Sequence, residues 1–379
     1  MQTWPLFHLS PLRPQVLHCM MHPHHMAKLS ALHTASCPRT KTITELAKAL
    51  DEHRVALVRG PPSAGKTTLA RLLQSYYTSR EEPVIFLTGW PRKTVDPPIY
   101  LYEKCKEAGY EVDYMTLQYS NITFIIDEAQ QSYSDEALWR GLIKSQSGCQ
   151  SGARICLFAS YGNPVMGTPE GPGGPPVHFE SEQRVSLLRY HASHGPHSNN
   201  LGLFYTLEEF EYVLLLWSAV NEVEIAPVAR KVLYYVTGGH PGAVESLVAY
   251  ILAYYHSEVE NGSIKTITEK LLVDCLQDGP NLFASLQTTV FFRSVPTSQQ
   301  LALAPAAATA LHRIIQEGTI PCDLDDPGVE LCFKRGWVHT DYTHSSPAGV
   351  DNLVCFLPTR LHVKILEDLL GINQPGSFF

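Results

Sequence analysis

The stretch Gly60–Thr67 reads GPPSAGKT and matches the phosphate-binding pattern GxxxxGK(S/T) at every fixed position. The apolar stretch VALV precedes it, and TTLARLLQSYY after it is typical of a helix. Glycines let such a loop curl so that its backbone N–H groups point at phosphate, and the helix N-terminus adds its positive dipole end. The feature therefore predicts a strand–loop–helix unit that binds a nucleoside triphosphate.

The loop residues have expected roles in holding ATP with Mg²⁺. Lys66 is expected to reach the β- and γ-phosphates and to assist catalysis, and the Thr67 hydroxyl is expected to bind Mg²⁺. The predicted nucleotide-binding residues of the loop are Gly60, Pro61, Pro62, Ser63, Ala64, Gly65, Lys66, Thr67 and Thr68.

A second motif, NITFIIDEA at Asn121–Ala129, is a short apolar run that ends in two acids. Asp127 is predicted to hold Mg²⁺ through water, because Mg²⁺ keeps much of its hydration shell. Glu128 is predicted to orient and deprotonate the attacking water, as the catalytic base. The alternative is an acidic pair that only caps a helix. ATP is favoured over GTP because no NKxD sequence follows the loop.

Further positions are candidate contacts to the nucleotide. Ser160 follows the apolar run in RICLFASYG and is predicted to contact the γ-phosphate, with Asn163 second; an ordinary turn suits both equally. Pro241 lies in TGGHPG, a turn that opens a helix, and is predicted to contact the nucleotide; a plain helix–helix turn is the alternative. The candidate arginine fingers, each better suited to a surface ion pair, are Arg140, Arg154, Arg184 and Arg189.

Short apolar runs alternate with helical stretches between residues 42 and 190, which is typical of an α/β fold with a parallel sheet. Beyond residue 205 the periodicity is helical, and the strands GWVHTD and NLVCFL then precede a closing helix, RLHVKILEDLL, which suggests a winged-helix-like end. The predicted strands are Val55–Val58, Val84–Leu87, Thr123–Ile126, Ile155–Phe158 and Val185–Leu188, and the predicted helices are Thr42–Asp51, Lys66–Thr78, Ile99–Ala108 and Asp135–Lys144.

Four regions are expected along the chain. They are a disordered His-rich tail (1–41), a P-loop NTPase domain (42–200), a helical lid (201–263) and a winged-helix-like domain (264–379). The first 44 residues contain four Lys/Arg, six His and no acid, so mitochondrial targeting and metal binding are the alternatives to disorder. Two Gly/Pro- and His-rich segments, 163–176 and 191–200, are predicted loops.

Composition excludes several classes of protein. The net charge of −8 gives no overall attraction to nucleic acid or to an anionic membrane. No apolar run approaches the roughly 18 residues of a membrane span. The nine cysteines include no CxxC pair, so neither a disulfide scaffold nor a zinc site is expected. We therefore expect the cysteines to be reduced thiols and the protein to be cytoplasmic or nuclear.

Taken together, GPPSAGKTT, FIIDEAQ and TGGHPG, in that order, resemble AAA+-related and STAND-type P-loop NTPases. The likeness is nearest to the origin-recognition and archaeal-ATPase-like domains that recur in Crinkler-type effector proteins, where a Tyr and a Trp (here Tyr133 and Trp139) follow FIIDEAQ. The resemblance implies a parallel sheet in the order 5-1-4-3-2. No arginine stands at the sensor positions after GGHPG or at the end of strand 155–160, and the candidates for a phosphate-sensing histidine are His339 and His362.

The leading hypothesis is an ATP-hydrolysing molecular switch with slow turnover, a protein partner at its C-terminal region and nucleotide-dependent homo-oligomers. One alternative is a nucleotide-binding scaffold that does not hydrolyse ATP. Another is a DNA-binding ATPase resembling replication initiators. Residues 266–379 hold seven Lys/Arg against twelve Asp/Glu, which is the wrong sign for a surface that neutralises phosphates, so nucleic acid is not an expected partner.

Overall fold

Five short apolar segments form one parallel sheet in the computed structural model, which describes residues 37–91, 96–162, 168, 177–185, 187, 201–343 and 352–372. The strands are β1 (Val55–Arg59), β2 (Val84–Leu87), β3 (Thr123–Ile126), β4 (Arg154–Ala159) and β5 (Arg184–Val185). Their order is β5-β1-β4-β3-β2, and every neighbouring pair is parallel. The predicted fold class and the 5-1-4-3-2 order are confirmed.

The alternation of side chains along each strand divides the sheet residues between two cores. Val55 and Leu57 belong to one core, and Ala56 and Val58 belong to the other. The first core includes residues of α3 (Pro97–Glu107) and of a π-helix, Ala137–Ile143; the second includes residues of α1 (Thr40–His53) and α2 (Lys66–Thr78). Because helices cover both faces, the strands are apolar throughout rather than alternating.

The predicted helix at Asp135–Lys144 is wider than expected. It is the π-helix Ala137–Ile143, which continues into a short α-helical segment, Lys144–Gln146. Asp135 precedes it and accepts a hydrogen bond from the Leu138 amide (3.0 Å). Apolar periodicity does not separate α- from π-helical hydrogen bonding.

The helices after the sheet form a second group. A capping box starts the first of them, because Thr206 and Glu209 each accept the other's backbone N–H. Strand β6 (Glu224–Ile225) pairs in parallel with β7 (Thr266–Ile267), which follows the boundary predicted at residue 263. Its helices are α4 (Leu207–Asn221), α5 (Pro227–Thr237), α6 (Pro241–Tyr254), α7 (His256–Glu260), α8 (Glu269–Gln277) and α9 (Gly279–Leu286).

The C-terminal region has its own apolar core and a small antiparallel sheet in the order β8-β10-β9. The predicted hairpin strands and closing helix are present; the winged-helix interpretation and the domain boundaries stay predictions. The elements are a 3-10 helix (Val290–Ser294), α10 (Ser298–Leu303), α11 (Pro305–Glu317), β8 (Thr319–Pro321), α12 (Pro327–Arg335), β9 (His339–Thr343), β10 (Asn352–Phe356) and α13 (Arg360–Leu369).

Several predictions fall outside the described residues: those for the tail up to residue 36, for nearly all of the loop 163–176 and for the loop 191–200. Within the described ranges, no helix combines the length and apolarity needed to cross a membrane.

Arg39 lies in the range predicted as a disordered tail, yet its side chain is buried. The guanidinium donates to the carbonyls of Leu203 (2.9 Å), Gly202 (3.0 Å) and Phe204 (3.2 Å). It also pairs with Glu209 at 3.2 Å. A buried charge needs partners of this kind, so this part of the predicted tail belongs to the fold.

The change Arg39→Ala should therefore destabilise the protein by about 2–4 kcal/mol, because it removes the donor of three buried carbonyls and the cationic partner of Glu209. Urea denaturation followed by circular dichroism measures the loss. The matched control is Lys41→Ala, since Lys41 is exposed and should change stability by less than about 0.5 kcal/mol. Equal effects of the two changes would contradict an anchoring role for Arg39.

Candidate functional site

The phosphate-binding loop runs from β1 to α2 and is closely packed at both ends. At its start, a Cβ on Gly60 would lie 2.2 Å from Cδ2 of Leu203, so any side chain there would force Leu203 to move. At its end, Gly65 has φ +83° and a Cβ there would lie 3.1 Å from Cγ of Pro241. Glycine takes this left-handed conformation without strain, which explains why the motif needs it here.

Lys66 is buried in the loop, and its ammonium donates to the carbonyls of Gly60 and Pro61 at 2.8 Å each. Burial lowers the pKa of Lys66 to about 8, although the nearby carboxylates of Glu128 and Asp127 oppose the shift. Two neutral carbonyls are weaker partners for an ammonium than phosphate oxygens are. The loop therefore holds a charge that an anionic ligand would stabilise.

Thr67 and Asp127 meet although they lie on different elements. The Thr67 hydroxyl, in the first turn of α2, donates to Oδ2 of Asp127 at 2.7 Å. The backbone N–H of Asp127 donates to the Leu87 carbonyl (2.9 Å), which fixes the end of β3 against β2. Mg²⁺ prefers hard oxygen ligands and commonly takes one or two from the protein and the rest from phosphate and water. This hydroxyl–carboxylate pair fits Mg²⁺.

Glu128 has φ 51°, a left-handed conformation that is uncommon outside glycine and concentrates at functional sites. Its carboxylate accepts a hydrogen bond from the Gln130 amide. The same Gln130 side chain accepts from the Ser160 backbone N–H at 3.0 Å. Gln130 thus joins the predicted base to the end of β4. Glu128 makes no side-chain cap to the following 3-10 helix, which disfavours the helix-cap alternative.

The turn TGGHPG lies against the phosphate loop, where the Gly242 N–H donates to the Ser63 carbonyl at 3.1 Å. His240 caps α6, because its Nδ1 accepts from the Ala243 N–H (3.2 Å). Burial, reinforced by the Lys66 charge, lowers the pKa of His240 to about 3, so its imidazole is neutral at physiological pH. Pro241, predicted to contact nucleotide, packs beside Gly65.

Arg59, the last residue of β1, connects the loop to the C-terminal region. Its guanidinium donates to the Gly162 carbonyl (2.8 Å) and to the carbonyl (2.8 Å) and hydroxyl (3.1 Å) of Thr340 in β9. Burial lowers the pKa of Arg59, and the Asp341 carboxylate acts against that shift. Arg59 was not identified as a site residue from the sequence. The one indication in the sequence is that a charged residue ends an otherwise apolar predicted strand.

The loop also touches the C-terminal region directly. The Ser63 hydroxyl donates to the Val290 carbonyl. A Cβ on Gly336, at the end of α12, would lie 3.0 Å from Cδ of Pro62. Together with the contact from Gly242, these interactions show that residues of the helical region and of the C-terminal region both contact two adjacent loop residues, Pro62 and Ser63.

The three candidate arginine fingers that the structure describes do not join this cluster. Arg154 lies at the opposite end of β4 from the loop and pairs with Asp51 (2.6 Å) and Glu82 (2.9 Å). Arg140 pairs with Glu136 (3.7 Å) on its own helix, as the ion-pair alternative expects. Arg184 donates to the Glu180 carbonyl (3.3 Å), whereas Arg189 and Asn163 lie outside the described residues.

Of the two candidate phosphate-sensing histidines, His362 is engaged by protein at both ring nitrogens. Nδ1 lies 2.7 Å from the Thr359 hydroxyl and Nε2 lies 2.9 Å from the Ser294 hydroxyl. His339 is buried, and its ring packs on Phe356. In this arrangement His362 positions α13 within the C-terminal region.

The affinity for Mg²⁺-ATP should fall as the pH rises above 8. Bound phosphates favour the ammonium form of Lys66, whereas the pKa of Lys66 without nucleotide is about 8. Above that pH, binding has to protonate the amine, which weakens affinity by up to about tenfold per pH unit. Calorimetric titration of ATP between pH 7 and pH 10 measures how the affinity changes with pH. The variant Lys66→Ala should bind ATP weakly, and its affinity should not show this fall above pH 8. A flat profile for the unchanged protein would contradict the role of Lys66.

No protein-family model matches the chain, and no curated protein matches its sequence. Several solved structures are similar to it. Among them are the ORC2 protein of Aeropyrum pernix (13% identity, 88% of this chain and 94% of that one, TM-score 0.38), a Walker-type ATPase of Pyrococcus abyssi (12%, 87% and 95%, TM-score 0.44) and the RuvB Holliday junction branch migration motor of Thermotoga maritima (13%, 78% and 81%, TM-score 0.37). At these identities and TM-scores the likenesses carry no argument about ligand or activity.

Proposed function

We propose that this chain is a Mg²⁺-dependent molecular switch of the AAA+/STAND type that binds ATP and hydrolyses it slowly. The observation that carries the proposal is the contact of the Thr67 hydroxyl with the Asp127 carboxylate at 2.7 Å, inside a complete phosphate-binding loop. A positive charge, a pair of hard oxygen ligands and a candidate base (Lys66, Thr67 with Asp127, and Glu128) lie together at the ends of β1 and β3.

Phosphoryl transfer depends mostly on positioning and electrostatics. In the proposed reaction Lys66 exchanges its two loop carbonyls for phosphate oxygens and gains charge-assisted hydrogen bonds. Thr67 and Asp127 would hold Mg²⁺, which would supply positive charge to offset the negative charge of the phosphates. Glu128 accepts the proton of the attacking water. The Ser160 N–H, which now binds Gln130, is the group we assign to the γ-phosphate.

Slow turnover follows from the position of Gln130. Its side-chain amide donates to Oε2 of the Glu128 carboxylate, and a hydrogen bond that stabilises the charged form of a carboxylate makes it a weaker base. The side-chain oxygen of Gln130 accepts in turn a hydrogen bond from the backbone N–H of Ser160 (3.0 Å). A ligand that recruits the Ser160 N–H would break the bond that holds the Gln130 side chain in place and leave that side chain free to move away from Glu128, which would couple arrival of the γ-phosphate to activation of the base.

The switch part of the proposal rests on the contacts around the loop. Nucleotide changes a distant region only if it interacts differently with two arrangements of the protein. Ser63 binds the helical region through Gly242 and the C-terminal region through Val290. A phosphate that reshapes the loop therefore acts on both contacts, which a passive scaffold would not need.

The partner and location remain part of the same proposal. The acidic excess in residues 266–379, twelve Asp/Glu against seven Lys/Arg, favours a protein partner over DNA. We also propose that several copies of the chain assemble when nucleotide is bound. The described cysteines are free thiols, which agrees with a cytoplasmic or nuclear protein.

The change Glu128→Gln should retain ATP affinity within about threefold and lower turnover by about 100-fold or more, because an amide cannot accept the proton of water. Steady-state phosphate release and calorimetry measure the two quantities. Glu103→Gln, on the exposed side of α3, is the matched control and should change neither. Normal turnover in Glu128→Gln would place the base elsewhere, and binding without turnover in the unchanged protein would support the scaffold alternative.

The change Pro241→Leu should weaken ATP and ADP binding together by about 1–2 kcal/mol, since the ring packs beside Gly65 of the loop. Thermal stability should fall more with nucleotide than without it, because ligand-linked stabilisation follows affinity. Pro227→Leu is the matched control, as Pro227 starts α5 just as Pro241 starts α6. Equal losses in both conditions would make the turn a structural hinge only.

A further inference from the structure

Two cysteines of the C-terminal sheet lie on the same face of neighbouring strands. Strands β8 and β10 are antiparallel, with Ile320 opposite Cys355. The Cys322 N–H donates to the Leu353 carbonyl at 2.9 Å, which extends this ladder past the end of β8. Because side chains alternate, Cys322 shares the face of Ile320 and hence of Cys355. The two are therefore diagonal neighbours on one face of the sheet.

The two thiols also interact with each other through a side-chain hydrogen bond. This bond, and then the guanidinium of Arg59, lower the pKa of Cys322. The same hydrogen bond, together with burial in the C-terminal core, raises the pKa of Cys355. Cys322 is also half-buried, whereas Cys355 is fully buried.

These differences give the two thiols distinct chemistry. The thiolate is the nucleophilic form of cysteine, and its reactivity needs access to solvent and a positive neighbour. Cys322 has the access and lies near the Arg59 charge. Cys355 has no access of its own but is in contact with the Cys322 sulfur, which is the position that a second, resolving thiol needs.

We propose that Cys322 and Cys355 form a reversible disulfide when the protein meets a hydroperoxide. The Cys322 thiolate attacks one peroxide oxygen, the O–O bond breaks, and the leaving oxygen takes a proton to become water. The sulfur of Cys355 then attacks the sulfur of Cys322. The S–O bond breaks, and the departing hydroxide takes the Cys355 proton. In total two thiols lose two electrons and two protons, and one hydrogen peroxide becomes two waters.

The location gives this disulfide a regulatory character. Lasting disulfides are rare in reducing compartments, where those that form are mostly transient or redox-sensing. The bridge would tie β8 to β10, and β10 pairs with β9, whose Thr340 binds Arg59 at the phosphate loop. The inference does not depend on ATP hydrolysis.

The test uses the full reduced chain, treated with hydrogen peroxide, alkylated at its remaining thiols and digested with trypsin without reductant. Trypsin places Cys322 in peptide 314–334 and Cys355 in peptide 336–360. We expect these peptides joined, lighter than their sum by two hydrogens, and separated again by dithiothreitol. Absence of the joined peptide would overturn the proposal.

Cys332 also lies in peptide 314–334, so the position of the bridge has to be established. Fragmentation of the joined peptide in the unchanged protein should place it at Cys322. The change Cys322→Ser should abolish the joined peptide, and Cys332→Ser, the matched control, should keep it. A bridge at Cys332, or a joined peptide that persists in Cys322→Ser, would overturn the proposal. Because fragmentation uses the unchanged chain, the result does not depend on how either variant folds.

Discussion

A buried arginine next to the phosphate loop is the constraint on which much of this structure depends. The Arg59 guanidinium has no access to water and is satisfied by Gly162 at the end of β4 and by Thr340 in β9. A buried charge without such partners is costly. The C-terminal hairpin can therefore leave the loop only if water or another acceptor replaces Thr340, and this requirement ties the sheet to a segment far along the chain.

The parts of the fold that sequence predicted are those encoded locally. Apolar runs of strand length identified four strands of the parallel sheet nearly to the residue, whereas β5 (Arg184–Val185) overlaps the predicted Val185–Leu188 only at Val185; the loop motif predicted the start of α2 at Lys66. Contacts between distant segments leave no periodic signal. Arg39 looked like part of a tail because its partners, the carbonyls at residues 202–204, lie more than 160 positions away.

The candidate site shows the same division. Spacing within the motifs predicted Lys66, Thr67, Asp127 and Glu128, and the structure brings them together. Sequence did not predict that Gln130 would bind both the Glu128 carboxylate and the Ser160 N–H, because that contact depends on β3 and β4 lying side by side. Arg154, a candidate finger that was judged better suited to an ion pair, lies at the opposite end of β4 from the loop and pairs there with Asp51 and Glu82.

The contacts of Ser63 with Gly242 and Val290 have a thermodynamic consequence. If nucleotide alters the affinity of the C-terminal region for the loop by some factor, detachment of that region must alter the affinity for nucleotide by the same factor. Substitutions in the hairpin that never touch a ligand would then retune its binding constant. Conversely, a tightly held nucleotide acts as a clamp on a surface it does not reach. Reciprocity of this kind makes the loop a shared component of two equilibria.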